Sequence, residues 1–155
     1  MAKRYYIGYT GASGSASYHQ LCVYQAAASP LQRPVIFEFK IGSHASPVDQ
    51  AGEYTVVRST TAAPTGGSTP AVGILDTADP APAASNTTAY SSATGGETMA
   101  TTLDMVGLHQ KATFRFVTDP TMGYVIPITQ YAGLGIQIVA QSAAFNTDIS
   151  LFWTE

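Results

Sequence analysis

The chain is short of charge and of cysteine. Only 11% of its 155 residues are Asp, Glu, Lys or Arg, against roughly 25% in a typical soluble domain. Because an isolated protein relies on surface charge to stay soluble, this shortage favours a protein that works among partner subunits. The single cysteine, Cys22, excludes an intramolecular disulfide, and its strand-like surroundings predict a small side chain in or beside the core.

Several functional classes lack their usual signals. The seven Lys and Arg residues are scattered and form no run, so no nucleic-acid partner is expected. No stretch approaches the roughly 20 apolar residues that span a bilayer, so no membrane partner is expected either. Lys3 and Arg4 are not followed by a long apolar segment. A secretory signal peptide is therefore not predicted, and synthesis in a cytoplasm is expected.

Signals for metal binding and catalysis are equally weak. His19, His44 and His109 are far apart in the sequence, whereas zinc ligands are usually close neighbours, so we predict no metal site and no cofactor. A glycoside hydrolase would need two carboxylates in one cleft. Four acidic residues are candidates for such a pair: Glu38, Glu53, Glu97 and Asp104. Surface carboxylates are the commoner outcome, so we predict no catalytic residue and no enzyme.

What the chain does contain is period-two alternation of apolar residues. Residues 35–41 alternate clearly, and residues 136–139 and 149–154 show the same pattern, which predicts strands with one face on a core. Eight or nine such strands, tight turns and no amphipathic helix predict an all-β fold. We expect a jelly-roll-like two-sheet antiparallel sandwich that forms one domain over residues 1–155. A closed barrel is the alternative architecture.

One segment interrupts the strands. Residues 60–97 are rich in Pro, Thr and Ala, and their apolar residues follow no period. A segment of this length inside a compact domain is usually functional or disordered. We predict one long loop at 60–97 that lies across its own domain or across a neighbouring subunit.

The alternation also places apolar side chains on the second face of the predicted strands. If Phe37 and Phe39 face the core, Ile36 faces outward, and the same reasoning turns Val139 and Phe152 outward. An apolar outer face needs a cover, which we expect to be a partner subunit or the long loop. Tyrosine is enriched at protein interfaces, and three tyrosines lie close to the N-terminus. The predicted subunit interface therefore consists of Tyr5, Tyr6, Tyr9, Ile36, Val139 and Phe152.

Turn and packing motifs of the chain resemble those of small virion structural proteins of tailed bacteriophages. The motifs are Gly42-Ser43, Pro47-x-Asp49, Tyr54-x-Val56-x-Arg58-Ser59-Thr60 and Ala112-Thr113-Phe114-Arg115-Phe116. Among such proteins the resemblance is greatest to capsid decoration (head cement) proteins. It implies a β-rich homo-oligomer, usually a homotrimer, that binds the major capsid protein or other virion subunits. It also implies a location on the capsid surface, a role in capsid stabilisation, and no catalytic residue.

Two other functions stay open at this point. A phage tail or fibre module that binds a glycan or a receptor would show solvent-facing tyrosines beside a groove. A sandwich glycoside hydrolase would bring two of the four carboxylates named above to within about 5–10 Å of each other.

Overall fold

The protein is a two-sheet antiparallel β-sandwich. The computed structural model describes residues 2–12, 17–44, 49, 51–80, 87–141 and 146–155. Within these ranges the chain forms eleven strands and no helix, so the described residues contain no helix that could cross a membrane. The strands are β1 (Arg4–Ala12), β2 (His19–Gln25), β3 (Val35–Ser43), β4 (Ala51–Thr60), β5 (Gly73–Ile74), β6 (Thr87–Ser91), β7 (Thr98–His109), β8 (Phe114–Val117), β9 (Tyr124–Val125), β10 (Gly133–Gln141) and β11 (Asn146–Thr154).

The strand order is that of a jelly roll. Sheet A has the order β5-β1-β11-β3-β8, with β9 also paired to β3, and sheet B has the order β6-β2-β10-β4-β7. The short strands β5, β6 and β9 are additions to the edges of the sheets. Among the other eight strands, consecutive ones lie in opposite sheets, with one exception: β4 and β7 pair with each other in sheet B. The late strands β10 and β11 insert between early ones. This double Greek-key arrangement confirms the predicted fold class.

The core lies between the inner faces of the two sheets. Sheet A contributes Tyr5, Ile7, Ile36, Phe39, Ile41, Ile149, Leu151 and Trp153 to it. Sheet B contributes Leu21, Val23, Tyr54, Val56, Leu134, Ile136 and Ile138. Since fully burying one large apolar side chain stabilises a protein by about 1.5–3 kcal/mol, these residues supply most of the driving force for folding.

A β-bulge in β3 reverses the predicted orientation of Ile36. Phe152 on β11 pairs with Glu38. The next residue, Trp153, pairs with Ile36, so Phe37 is an extra residue in β3. An extra residue shifts the alternation of side chains by one position, and Ile36 consequently points inward, where it is fully buried in the core of its own domain. Its predicted place at a subunit interface is therefore wrong.

Tyr5 is also a core residue. Its side chain is fully buried, and its ring centroid lies 5.7 Å from that of Trp153. Its hydroxyl donates a hydrogen bond of 3.3 Å to the carbonyl oxygen of Pro80. A side chain that is fully covered within one chain has no surface left for a partner, so the interface prediction is wrong for Tyr5 as well.

The segment between β4 and β7 folds back on its own domain. We call residues 61–97 the strap. Its short strand β5 pairs with β1 at the edge of sheet A, and its strand β6 pairs with β2 at the edge of sheet B. Isolated bridges join Thr65 to Gly95 and Ser68 to Ser91. The described parts of the strap thus provide the outermost strand at one edge of each sheet, and both of these strands are short, which limits pairing with another chain.

Candidate functional site: the outer face of sheet A

Three aromatic side chains form a row on the outer face of sheet A. We call Tyr6, Phe37 and Phe152 the aromatic strip. Tyr6 pairs with Phe152 across β1 and β11, and their ring centroids lie 6.1 Å apart in a stacked arrangement. The rings of Phe37 and Phe152 are tilted, with centroids 6.5 Å apart. The strip follows from the register of three neighbouring strands, with the β3 bulge turning Phe37 outward.

The aromatic strip is only partly covered by its own chain. Tyr6 is 42% exposed, and Phe37 and Phe152 are half-buried. Leu75 on the strap and Val117 on β8 are exposed apolar residues, and Val117 pairs with the outward-facing Glu38. Partly exposed apolar side chains grouped on one face favour an interaction site.

A groove lies between the aromatic strip and the strap. It has a volume of about 580 Å³, and its apolar lining includes Phe37, Phe152 and Leu75. Asp76 and Asp79 form part of the opposite wall. The Arg4 amide N–H donates to Asp79 Oδ2 at 3.1 Å, which fixes this part of the strap beside β1. The groove therefore combines aromatic faces with carboxylates, as ligand-binding clefts commonly do.

Charged side chains border the strip on β3 and β8. Arg115 Nε donates to Glu38 Oε1 at 2.9 Å, and Lys40 Nζ lies 3.2 Å from the same oxygen. Burial by itself raises the pKa of Glu38, but the hydrogen bonds from Arg115 and Lys40 outweigh burial and hold that pKa below its usual value. Lys40 Nζ also lies 4.8 Å from the ring centroid of Phe152, a cation–π contact. Glu38 is therefore an ionised partner of two cations, which does not suit a general acid.

The other predicted interface residues lie elsewhere. Tyr9 is half-buried and packs against the core, and its hydroxyl accepts a hydrogen bond of 2.7 Å from Ser92 Oγ on the strap. Val139 is 41% exposed, but it lies on β10 of sheet B, where it is the extra residue of a bulge. The structure thus brings Tyr6 and Phe152 together and leaves Val139 apart. Sequence reasoning missed Phe37, because regular alternation turned it inward.

The four candidate carboxylates are not assembled into one cleft. Glu38 lies on the outer face of sheet A, whereas Glu97 is buried against sheet B and bonded to His19. Asp104 pairs with the core residue Val56. Glu53 is the neighbour of a core residue on β4 and points to the opposite face of sheet B. These positions give no support to a two-carboxylate mechanism.

The thiol of Cys22 is fully buried on the outer face of sheet B. Burial raises the pKa of Cys22 well above its usual value, and the nearby Glu97 adds to the increase. Nucleophilic cysteines require the thiolate and hence a lowered pKa. The environment of Cys22 therefore opposes nucleophilic catalysis.

Comparisons with protein-family models, with curated proteins and with solved structures give no match to this chain. The resemblance to phage virion proteins accordingly stays a prediction.

Proposed function

We propose that the chain is a non-enzymatic structural protein of a phage virion. In this proposal it is a capsid decoration protein that is made in the host cytoplasm, forms homotrimers and stabilises the outer surface of the head by binding its major capsid protein. The observation that carries the proposal is the aromatic strip. Three partly exposed aromatic rings on the outer face of one sheet favour a partner at this face, and the low content of charge gives the chain little means of keeping such a surface in water.

The partner that best fits the strip is a second copy of this chain. The surface carries Lys40 and Arg115 on one side of the strip, and Asp76 and Asp79 across the groove. A surface that offers both signs of charge around an apolar centre can complement a copy of itself. Stable interfaces bury about 1,600 Å² in total, which a trimer can provide when three strips meet around its axis.

Native mass spectrometry and sedimentation test the trimer. We expect a particle of three times the 16.2 kDa chain mass, and loss of that particle in the variant Phe152→Ser. The matched control is Met105→Ser, because Met105 is a 60% exposed apolar residue on the other sheet and its variant should remain trimeric. A wild-type chain that stays monomeric at high concentration would overturn the proposed trimer.

Binding to a shell tests the decoration role separately. The purified protein is mixed with expanded heads assembled from the major capsid protein of the same source, and the heads are sedimented and imaged. We expect added density on the outer surface and greater resistance of decorated heads to heat. Heads that sediment without the protein would overturn the decoration role, even if the protein proves to be a trimer.

The groove favours a second candidate function, a glycan-binding module of a phage tail or fibre. Sugar rings stack on aromatic faces such as those of Phe37 and Phe152, and carboxylates such as Asp76 accept hydrogen bonds from hydroxyl groups. A glycan array probed with the wild type and with Asp76→Asn tests this function. A glycan signal that the variant loses would support it, whereas an array without any signal would rule out the sugars presented.

A further inference from the structure

A cluster of three buried side chains lies beneath the strap on the outer face of sheet B. His19 and Cys22 belong to β2, and Glu97 is the last residue of the strap. All three are buried, and one ligand-type atom from each lies within 4.8 Å of the other two. We propose that His19, Cys22 and Glu97 form a binding site for one divalent cation of the zinc type, which ties the strap to sheet B.

Two backbone features bring the three side chains together. Residues three apart on a regular strand face opposite sides, but β2 contains a bulge between its pairs Leu21–Ile136 and His19–Gln137, so His19 and Cys22 share one face. On the strap, Gly96 has a φ of +86°, a conformation that side chains other than glycine rarely adopt. This turn directs Glu97 under the strap.

The hydrogen bonds of His19 define which ring nitrogen can bind a cation. Nε2 lies 2.8 Å from the carbonyl oxygen of Val57, which accepts but cannot donate, so Nε2 carries a proton. The other nitrogen, Nδ1, faces Glu97 Oε2 at 2.8 Å. A lone pair and a carboxylate in this position require a positive centre between them, either a proton or a metal ion. Metal-binding histidines typically donate their second N–H to a carbonyl or a carboxylate in just this way.

The charge and the ligand types favour zinc over calcium or magnesium. Imidazole, thiolate and carboxylate are all zinc ligands, whereas calcium and magnesium prefer oxygen atoms alone. A divalent cation bound by one thiolate and one carboxylate has no net charge, which suits a buried position because burying a net charge is costly. Binding releases two protons, one from the Cys22 thiol and one shared between His19 and Glu97.

The required rearrangement is small. Tetrahedral zinc bonds of about 2.0–2.3 Å place ligand atoms about 3.3–3.6 Å from one another. The His19–Glu97 contact of 2.8 Å therefore opens by about 0.5 Å, while the sulfur of Cys22 approaches the other two atoms.

Metal content and cobalt spectroscopy test the site. The protein is produced in medium supplemented with Zn²⁺ or with Co²⁺, so that the cation is present while the chain folds. We expect about one metal ion per chain after dialysis and, with Co²⁺, a thiolate-to-cobalt charge-transfer band. Because Cys22 is the single cysteine, that band reports on this site alone. A folded protein without bound metal, or bound Co²⁺ without the band, would overturn the proposal and leave a His19–Glu97 pair that shares a proton.

Two variants and one control complete the experiment. Cys22→Ser should abolish the cobalt band, and Glu97→Gln should weaken metal binding by at least about tenfold. His44 pairs with Asp148 at 2.9 Å on the surface, so His44→Gln removes a comparable His–carboxylate pair without a thiol and should leave metal binding unchanged. Loss of metal in His44→Gln, or its full retention in folded Glu97→Gln, contradicts the assigned site.

Discussion

The bulge in β3 predicts opposite effects for two adjacent substitutions. Ile36→Ala removes three fully buried carbon atoms, worth about 2.4 kcal/mol at about 0.8 kcal/mol each. The cavity left behind adds to the loss and brings the expected destabilisation to about 3–4 kcal/mol. Phe37→Ala removes a half-buried ring from the outer face, so it should cost the single chain much less and weaken self-association instead.

Thermal unfolding followed by circular dichroism measures the first effect. A domain of this size loses about 2–4 °C of its unfolding midpoint per kcal/mol, so we expect Ile36→Ala to unfold about 10 °C below the wild type. The scans are repeated at two protein concentrations, because self-association raises the midpoint in a concentration-dependent manner. Sedimentation of both variants then measures the second effect.

The reversed result would refute this reasoning. If Ile36→Ala keeps the wild-type midpoint and dissociates the oligomer, while Phe37→Ala unfolds early, then β3 has no bulge at this point and the regular alternation is correct. If both variants unfold early and stay associated, the outer face of sheet A is not an interface.

Three buried side chains give predictions on reactivity and on pH dependence. In the metal-free protein, the buried Cys22 thiol, whose pKa burial raises, should resist a thiol reagent in the native state and react after denaturation; rapid labelling of the native metal-free protein would contradict this. Burial raises the pKa of Tyr54 to about 12 from 10.0, so the unfolded state loses this proton first and stability should fall as the pH rises from 10 towards 12. An absorbance titration of the wild type, compared with that of Tyr54→Phe, isolates the ionisation of Tyr54. Ionisation of Tyr54 at the same pH as the exposed tyrosines would refute the prediction. Because the pKa of Glu38 is lowered in the folded protein, ionised Glu38 stabilises the fold above its unfolded pKa of 4.5, and this stabilisation is lost on acidification below that value. Glu38→Gln should therefore make the free energy of unfolding, measured with urea, less dependent on pH in the acidic range. The same pH dependence in the variant and the wild type would argue against the ion pairs.

The fold class could be predicted because it depends on a pattern that extends along the whole chain. Alternation with a period of two, short strands and frequent turn residues are properties of the sequence itself. The lack of any period over residues 60–97 predicted a long loop there, and the strands β5 and β6 of the strap were not predicted. Its placement on its own domain depends on pairing of β5 with β1 and of β6 with β2, which no local pattern reveals.

The parts that could not be predicted depend on bulges and on distant contacts. Residues 35–37 are three apolar residues in a row within an otherwise alternating strand, so the pattern does not decide which of them face the core. Only the pairing with Phe152 and Trp153 shows that Phe37 is an extra residue. The buried cluster is hidden in two ways. His19 and Cys22 have an odd spacing that a regular strand would place on opposite faces, and Glu97 is 78 residues from His19.

The position of β11 has a consequence for how the chain is made. This strand lies between β1 and β3 in the middle of sheet A, and it carries Trp153 into the core. While the ribosome is still synthesising residues 146–154, the nascent chain holds β1 and β3 as two separate pieces with open edges. Such non-local pairing forms slowly and leaves intermediates that are prone to aggregation. A chain that is truncated before β11 should therefore aggregate into inclusion bodies and yield no soluble folded protein.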